Sequence, residues 1–92
     1  MAISTFFGLR WSCSCGSYLW TAPKSVEGDV ENGPIYQMRV WQHPRREGWI
    51  LSRCFYTGWE YHWRKAGMYP SAEAAMRAGA NDPRLHGLPA VA

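Results

Sequence analysis

The stretch Ser12-Cys13-Ser14-Cys15-Gly16-Ser17 holds two of the three cysteines, separated by one residue. Thiolates bind zinc and exchange electrons, so a Cys-x-Cys pair poses a choice between chemistry and packing. Zinc takes about four ligands, with cysteines usually two to four residues apart and a second pair later in the chain. Cys54, His43, His62 and His86 could complete a set, but none of them belongs to a matching second pair. On a strand the two thiols would point the same way, ~6.6 Å apart at ~3.3 Å per residue. A disulfide between them would lie at the outer limit of Cα separation, about 6.8 Å, and would be strained. Both cysteines continue the apolar series begun by Leu9 and Trp11, and free cysteine packs as a small hydrophobe. The expectation is therefore core packing, with no metal and no cofactor. A small zinc or redox protein ranks third among the functional readings.

Other catalytic groupings are thin. Nucleophilic catalysis needs a thiolate beside a base and a third group that orients the base. Cys54 and His62 lie across a presumed hairpin, and no third member is apparent. Glu47, Glu60 and Glu73 are scattered, and the acidic group at 27–31 falls in a loop. No glycine loop carries the lysine or the following helix that phosphate cradling requires. The chain is expected not to be an enzyme, with no catalytic residue.

The stronger signal combines rings and positive charge. Of 92 residues, 15% are aromatic, including six Trp and five Tyr, and the net charge is +3. Residues 35–65 hold Arg39, Arg45, Arg46, Arg53, Arg64 and Lys65 against only Glu47 and Glu60. The first 34 residues are slightly acidic and the last 27 are balanced, so the basic character belongs to the middle of the chain. Such a segment suits an acidic partner, nucleic acid or protein. Arginine grips phosphate and carboxylate bidentately and stacks on rings, and Trp, Tyr and Arg dominate binding hot spots. The candidate binding residues are Arg39, Trp41, Arg45, Arg46, Trp49, Arg53, Arg64 and Lys65. Trp59, Tyr61 and Trp63 share a strand face and are expected to form the core under a helix of small residues.

The elements that must position these groups follow from periodicity. Residues 5–15 alternate as one strand, Gly16-Ser17 marks a turn, and 18–22 form a second strand. The Pro- and Gly-rich stretch at 23–34 reads as a long loop or hairpin tip. Residues 35–43, 49–57 and 59–65 read as three further strands, with the Pro-led turn 44–48 between the first two. Ser71 stands at an N-cap position, 72–78 are strong helix formers, and Gly79 is placed to end the helix. The predicted fold is α+β: an antiparallel β meander of about four to five strands with one C-terminal α-helix packed on one face. Residues 1–80 are expected to form a single domain, and 81–92, "NDPRLHGLPAVA", a loosely held tail. No internal repeat or low-complexity segment is visible.

Two resemblances attach to these motifs. "GW" at 48–49, the basic third strand and "GMYPSAEAAMRAGA" at 67–80 loosely resemble the AP2 and phage-integrase arm-binding family, whose three antiparallel strands lie in the DNA major groove backed by a helix. That resemblance covers residues 36–80 and implies Arg39, Arg53 and Arg64 as the strand arginines facing DNA. Glu60 and the aromatic residues depart from that family's more basic pattern. The Trp-rich sheet followed by a small-residue helix also resembles small phage proteins of the anti-CRISPR type. Those bind one host complex through an exposed face, and no functional residue carries over from them.

The expected function is that of a small non-enzymatic binding protein of phage or mobile-element type, foremost an inhibitor of a host defence complex. The alternative is a DNA-binding domain that uses a three-stranded sheet with arginine side chains. The partner expected is a host protein complex, nucleoprotein complexes included. Nucleic acid and a second copy of the chain are the other candidates. No apolar run approaches the ~18–20 residues of a membrane span. The first residues lack a signal-peptide layout, and an odd number of cysteines fits a reducing compartment. The expected location is the cytoplasm of the host cell.

Overall fold

The computed structural model describes residues 2–23, 27–28, 30 and 33–86. Six strands form one sheet in chain order, each antiparallel to the next. They are β1 (Ala2–Phe6), β2 (Leu9–Ser14), β3 (Ser17–Thr21), β4 (Gln37–Gln42), β5 (Trp49–Tyr56) and β6 (Tyr61–Tyr69), followed by the helices α1 (Ala72–Ala80) and α2 (Pro83–His86). The α+β meander matches the expectation broadly, but the sheet has six strands rather than four to five.

The extra strand comes from splitting residues 5–15. Phe6 pairs with Leu9, and the intervening Phe7 and Gly8 both take left-handed φ values of 55° and 80°. Two such residues make the type I′ turn whose twist matches an antiparallel hairpin. The same device follows β2: Ser14 pairs with Ser17, across Cys15 and Gly16 at φ 52° and 77°. Ser17 Oγ closes this turn by donating to the Ser14 carbonyl at 2.9 Å.

The core lies between one sheet face and the helices. Trp11, Met38, Val40, Leu51 and Phe55 are all but inaccessible there, together with Ala75 and Met76 of α1 and Leu85 of α2. Helix α1 packs on β4, β5 and β6 and also touches β1, so the sheet curls until its first strand meets the helix. The Arg77 guanidinium lies over the Phe7 ring at 5.0 Å from that side. On β6 the register shifts opposite the Leu51–Ser52 step, where Ala66 is the extra residue between Lys65 and Gly67. A bulge of this kind bends the strand and sharpens its twist.

Helix α1 begins as its sequence suggests: Ser71 Oγ accepts from the Ala74 N–H at 3.1 Å. Its end differs. Gly79 lies within the helix, and Asn81 caps it. A Cβ at position 79 would stand 2.9 Å from Met38 Sδ and 3.4 Å from Leu51 Cδ1. Glycine is there to let the helix approach the sheet.

The segment after α1 is docked. Asp82 and Leu85 are buried, although the sequence reading assigns 81–92 to a loose tail. Arg53 Nε of β5 stands 2.7 Å from Asp82 Oδ2, off the N–H axis, so the contact is an ion pair rather than an aligned hydrogen bond. The Arg84 N–H donates to Asp82 Oδ1 at 2.9 Å, its Nη1 donates to the Val30 carbonyl at 3.0 Å, and its guanidinium lies over Phe55. Positions 87–92, and half of the loop read at 23–34, lie outside the described residues.

Candidate binding face

The sheet face opposite the helices is the candidate site. Alternation along β4, β5 and β6 divides their side chains cleanly, because directly paired residues share a face. Met38, Val40 and Leu51 point to the core. Their neighbours Arg39, Trp41 and Ser52 therefore point away, and the register continues that face onto Lys65 and Trp63 of β6. Three cross-strand rows result: Gln37–Cys54–Trp63, Arg39–Ser52–Lys65 and Trp41–Ile50–Met68.

The expectation for Trp59, Tyr61 and Trp63 is overturned. They do not form the core under α1. Trp59 lies in the turn before β6 and is 82% exposed, while Tyr61 and Trp63 are 55% and 46% exposed on the helix-free face. The core positions are filled instead from β2, β3, β4 and β5. Period-two alternation identifies side chains that share a face, and only the path of the later helix decides which face is covered.

Tyr61 belongs to a cluster. Its ring stacks on Tyr56 at 4.7 Å, and Tyr36 lies 5.7 Å from both rings. Tyr56 Oη donates to the Gly58 carbonyl at 2.6 Å, which ties the cluster to the turn. Partial burial pushes the Tyr36 phenol up from its usual pKa, and the adjacent Tyr61 adds to the shift.

The candidate binding residues separate into three groups. Arg39, Trp41 and Lys65 share the helix-free face, where the Arg39 guanidinium lies over the Trp41 ring at 5.0 Å. Arg45 and Arg46 lie in the exposed β4–β5 turn. His43 Nδ1 accepts from both of their backbone N–H groups at 3.0 and 3.1 Å and so orders that turn. Arg53, Arg64 and Trp49 fall on the helix side. Arg53 pairs with Asp82, Arg64 stands directly opposite Arg53, and Trp49 packs near Tyr18 and the core. The three arginines that the AP2 resemblance implies as a set thus lie on two faces.

The thiols stay apart in character. Cys54 is fully buried between Gln37 and Trp63 on the helix-free face. Burial pushes its thiol up, partly offset by a hydrogen bond from the His62 backbone. Cys13 is half-buried, and Cys15 is exposed in the hairpin turn rather than packed at the end of a strand. Among the described residues, no three His, Cys, Asp or Glu side chains gather where an ion would fit.

Charge is segregated along the chain. Among the described residues no strand contains an Asp or a Glu, whereas the strands carry Arg10, Arg39, Arg53, Arg64 and Lys65. Elsewhere, a cleft of about 750 Å³ opens where β2 and β3 diverge, lined by Phe7, Leu19 and Trp20 among others, with Arg10 at its wall. That cleft offers shape but no grouping of acids, bases or nucleophiles. Among the described residues no helix is long and apolar enough to cross a membrane. No protein-family model, curated protein or solved structure matches the chain.

Proposed function

We propose that the chain is a small non-enzymatic binding protein of phage or mobile-element type. It docks the helix-free face of its sheet on a host defence complex in the host cytoplasm and inhibits it by occupying a needed surface. The observation that carries the reading is the exposure of Tyr61 and Trp63 beside Arg39 and Lys65 on a face that no helix covers. Exposed large rings cost solvation unless a partner covers them, and rings with interleaved cations are the composition of binding hot spots. The test compares immobilised wild type with Trp63→Ala and Lys65→Glu in capture from host lysate. A stoichiometric partner retained by the wild type and lost by both variants is the expected result. A partner retained by all three sinks this use of the face.

A second reading, a sheet that reads duplex DNA, draws on Arg10, Arg39 and Lys65 at helix-free strand positions, with no acidic side chain in the described strands. It predicts duplex affinity that falls by about 0.9 log units per log unit of salt for each phosphate neutralised. A labelled duplex that shows no shift at low salt removes it. Self-association through the uncovered face is the third partner class, and sedimentation across a concentration series detects it.

A further inference from the structure

We propose that the helix-free face takes a single-stranded nucleic acid, with a phosphate seated on the Arg39–Ser52–Lys65 row and bases stacked on Trp63 and Tyr61. The inference rests on the proposed use of that face and names the chemistry of what the face meets on its target.

Geometry supplies the phosphate seat. Arg39, Ser52 and Lys65 lie directly across from one another on three adjacent strands. Strands stand about 4.8 Å apart, so the two cationic residues flank Ser52 at roughly 9–10 Å between their Cα atoms. Both side chains are long enough to converge on an oxyanion above the serine hydroxyl, which can donate to it. The Arg39 guanidinium lies over the Trp41 ring in the neighbouring row, and a guanidinium can stack on a ring and grip a phosphate alike.

The rings set the kind of strand. Trp63 neighbours Lys65 on the same face of β6, and Tyr61 comes two residues earlier. Alternate residues on a strand are separated by ~6.6 Å, about twice the ~3.4 Å per nucleotide of a stacked chain. Bases drawn apart to that spacing can each rest on a ring, on Tyr61 at the part that its stack with Tyr56 leaves exposed, which paired bases inside a duplex cannot do. Charge agrees. Arg10, Arg39 and Lys65 occupy helix-free strand positions, and no strand contributes a carboxylate. Two acids stand at the ring end, both outside the strands: Glu60, with His62 Nε2 3.4 Å from its carboxylate, and Glu27, whose carboxylate lies beside Gly58.

The probe is a fluorescein-labelled single-stranded DNA of about 12 nucleotides, within the site sizes of sheet-type binders, with the corresponding duplex alongside. Expected results are anisotropy binding that favours the single strand, quenching of tryptophan emission, and a slope near −0.7 in log affinity against log salt per phosphate held. Lys65→Gln should lower that slope by about 0.7, and Trp63→Ala should weaken binding roughly tenfold to a hundredfold. Both residues are exposed on an edge strand, and far-ultraviolet circular dichroism confirms that each variant folds. Equal or tighter binding of the duplex overturns the inference, as does single-strand binding that both variants leave unchanged. Absence of single-strand binding at low salt also overturns it. If the same variants still lose a host protein partner, the docking face stands and only its nucleic-acid ligand is wrong; if they lose nothing, both fall.

Discussion

Arg53 of β5 and Asp82 of the α1–α2 junction meet at 2.7 Å, and the Asp82 side chain is only 4% exposed. The pair clamps the chain after α1 onto the sheet, with Arg84 holding the other carboxylate oxygen through its backbone N–H. Removing one member of a buried pair leaves the other desolvated and unpaired, which costs about 3–5 kcal/mol when both are fully buried. Arg53 is partly exposed, so Asp82→Ala should destabilise by roughly 2–3 kcal/mol on that scale. Urea unfolding measures it. Arg53→Met, which keeps the packing stem but leaves Arg84 to satisfy Asp82, should cost less. Equal stability of wild type and Asp82→Ala would show that the clamp contributes nothing.

The thiols should react in the order of their exposure. Cys15 is exposed, Cys13 half-buried and Cys54 buried, so a thiol reagent should label Cys15 first and Cys54 only as the protein unfolds. Mass spectrometry of partly labelled protein reads the order directly. Alkaline pH provides a second readout. Burial raises the Cys54 pKa in the folded state, so the unfolded thiol loses its proton first. The contribution to stability is complete below the unfolded pKa, about 8.5, and disappears as pH rises through the folded value. The urea midpoint should fall over that window, and less steeply in Cys54→Ala. Tyr36, raised for the same reason, should maintain the remaining decline at higher pH.

Gly79 tests the helix–sheet distance. Alanine there adds helix propensity of about 1 kcal/mol, but its Cβ meets Met38 Sδ at 2.9 Å in a fully buried site. Overpacking of that kind costs about 1–3 kcal/mol. Gly79→Ala should therefore be neutral to about 2 kcal/mol destabilising, and Gly79→Val clearly worse. A stabilised Gly79→Val protein would mean that α1 does not lie as close as it does here.

Local chemistry was legible and global placement was not. Ser71 reads as an N-cap because its hydroxyl serves a donor three residues away, and no distant contact is needed to see it. Asp82-Pro83 carries a comparable signal, a side-chain acceptor followed by proline at the first helical position, and α2 begins there. Phe7-Gly8 escapes notice because phenylalanine rarely takes a left-handed φ, so 5–15 reads as one strand. Trp63 and Met38 both sit on alternating strands, and their sequences do not distinguish the face under α1 from the face left open. Arg53 likewise matches Arg39 in type but lies opposite the core residue Met38, whereas Arg39 lies opposite Ser52. Register separates a clamp from a binding residue, and register comes from turn geometry.

Cys15 makes the last case, because its position decides between metal chemistry and turn geometry. It occupies the first central position of a type I′ turn at φ 52°, followed by Gly16 at 77°. Asparagine tolerates that conformation far better than a cysteine, and Asn-Gly is the preferred pair for such a hairpin. Cys15→Asn should stabilise the protein by about 0.5–1 kcal/mol, the scale of fitting a residue to its backbone conformation. A thiol that ligated a metal would give the opposite sign, and its loss would make unfolding sensitive to chelators in the wild type alone. Thermal or urea unfolding of both proteins, with and without a chelator, separates the two outcomes. Higher stability of Cys15→Asn, unchanged by chelation, assigns the Cys-x-Cys motif to one half-buried strand residue and one turn residue.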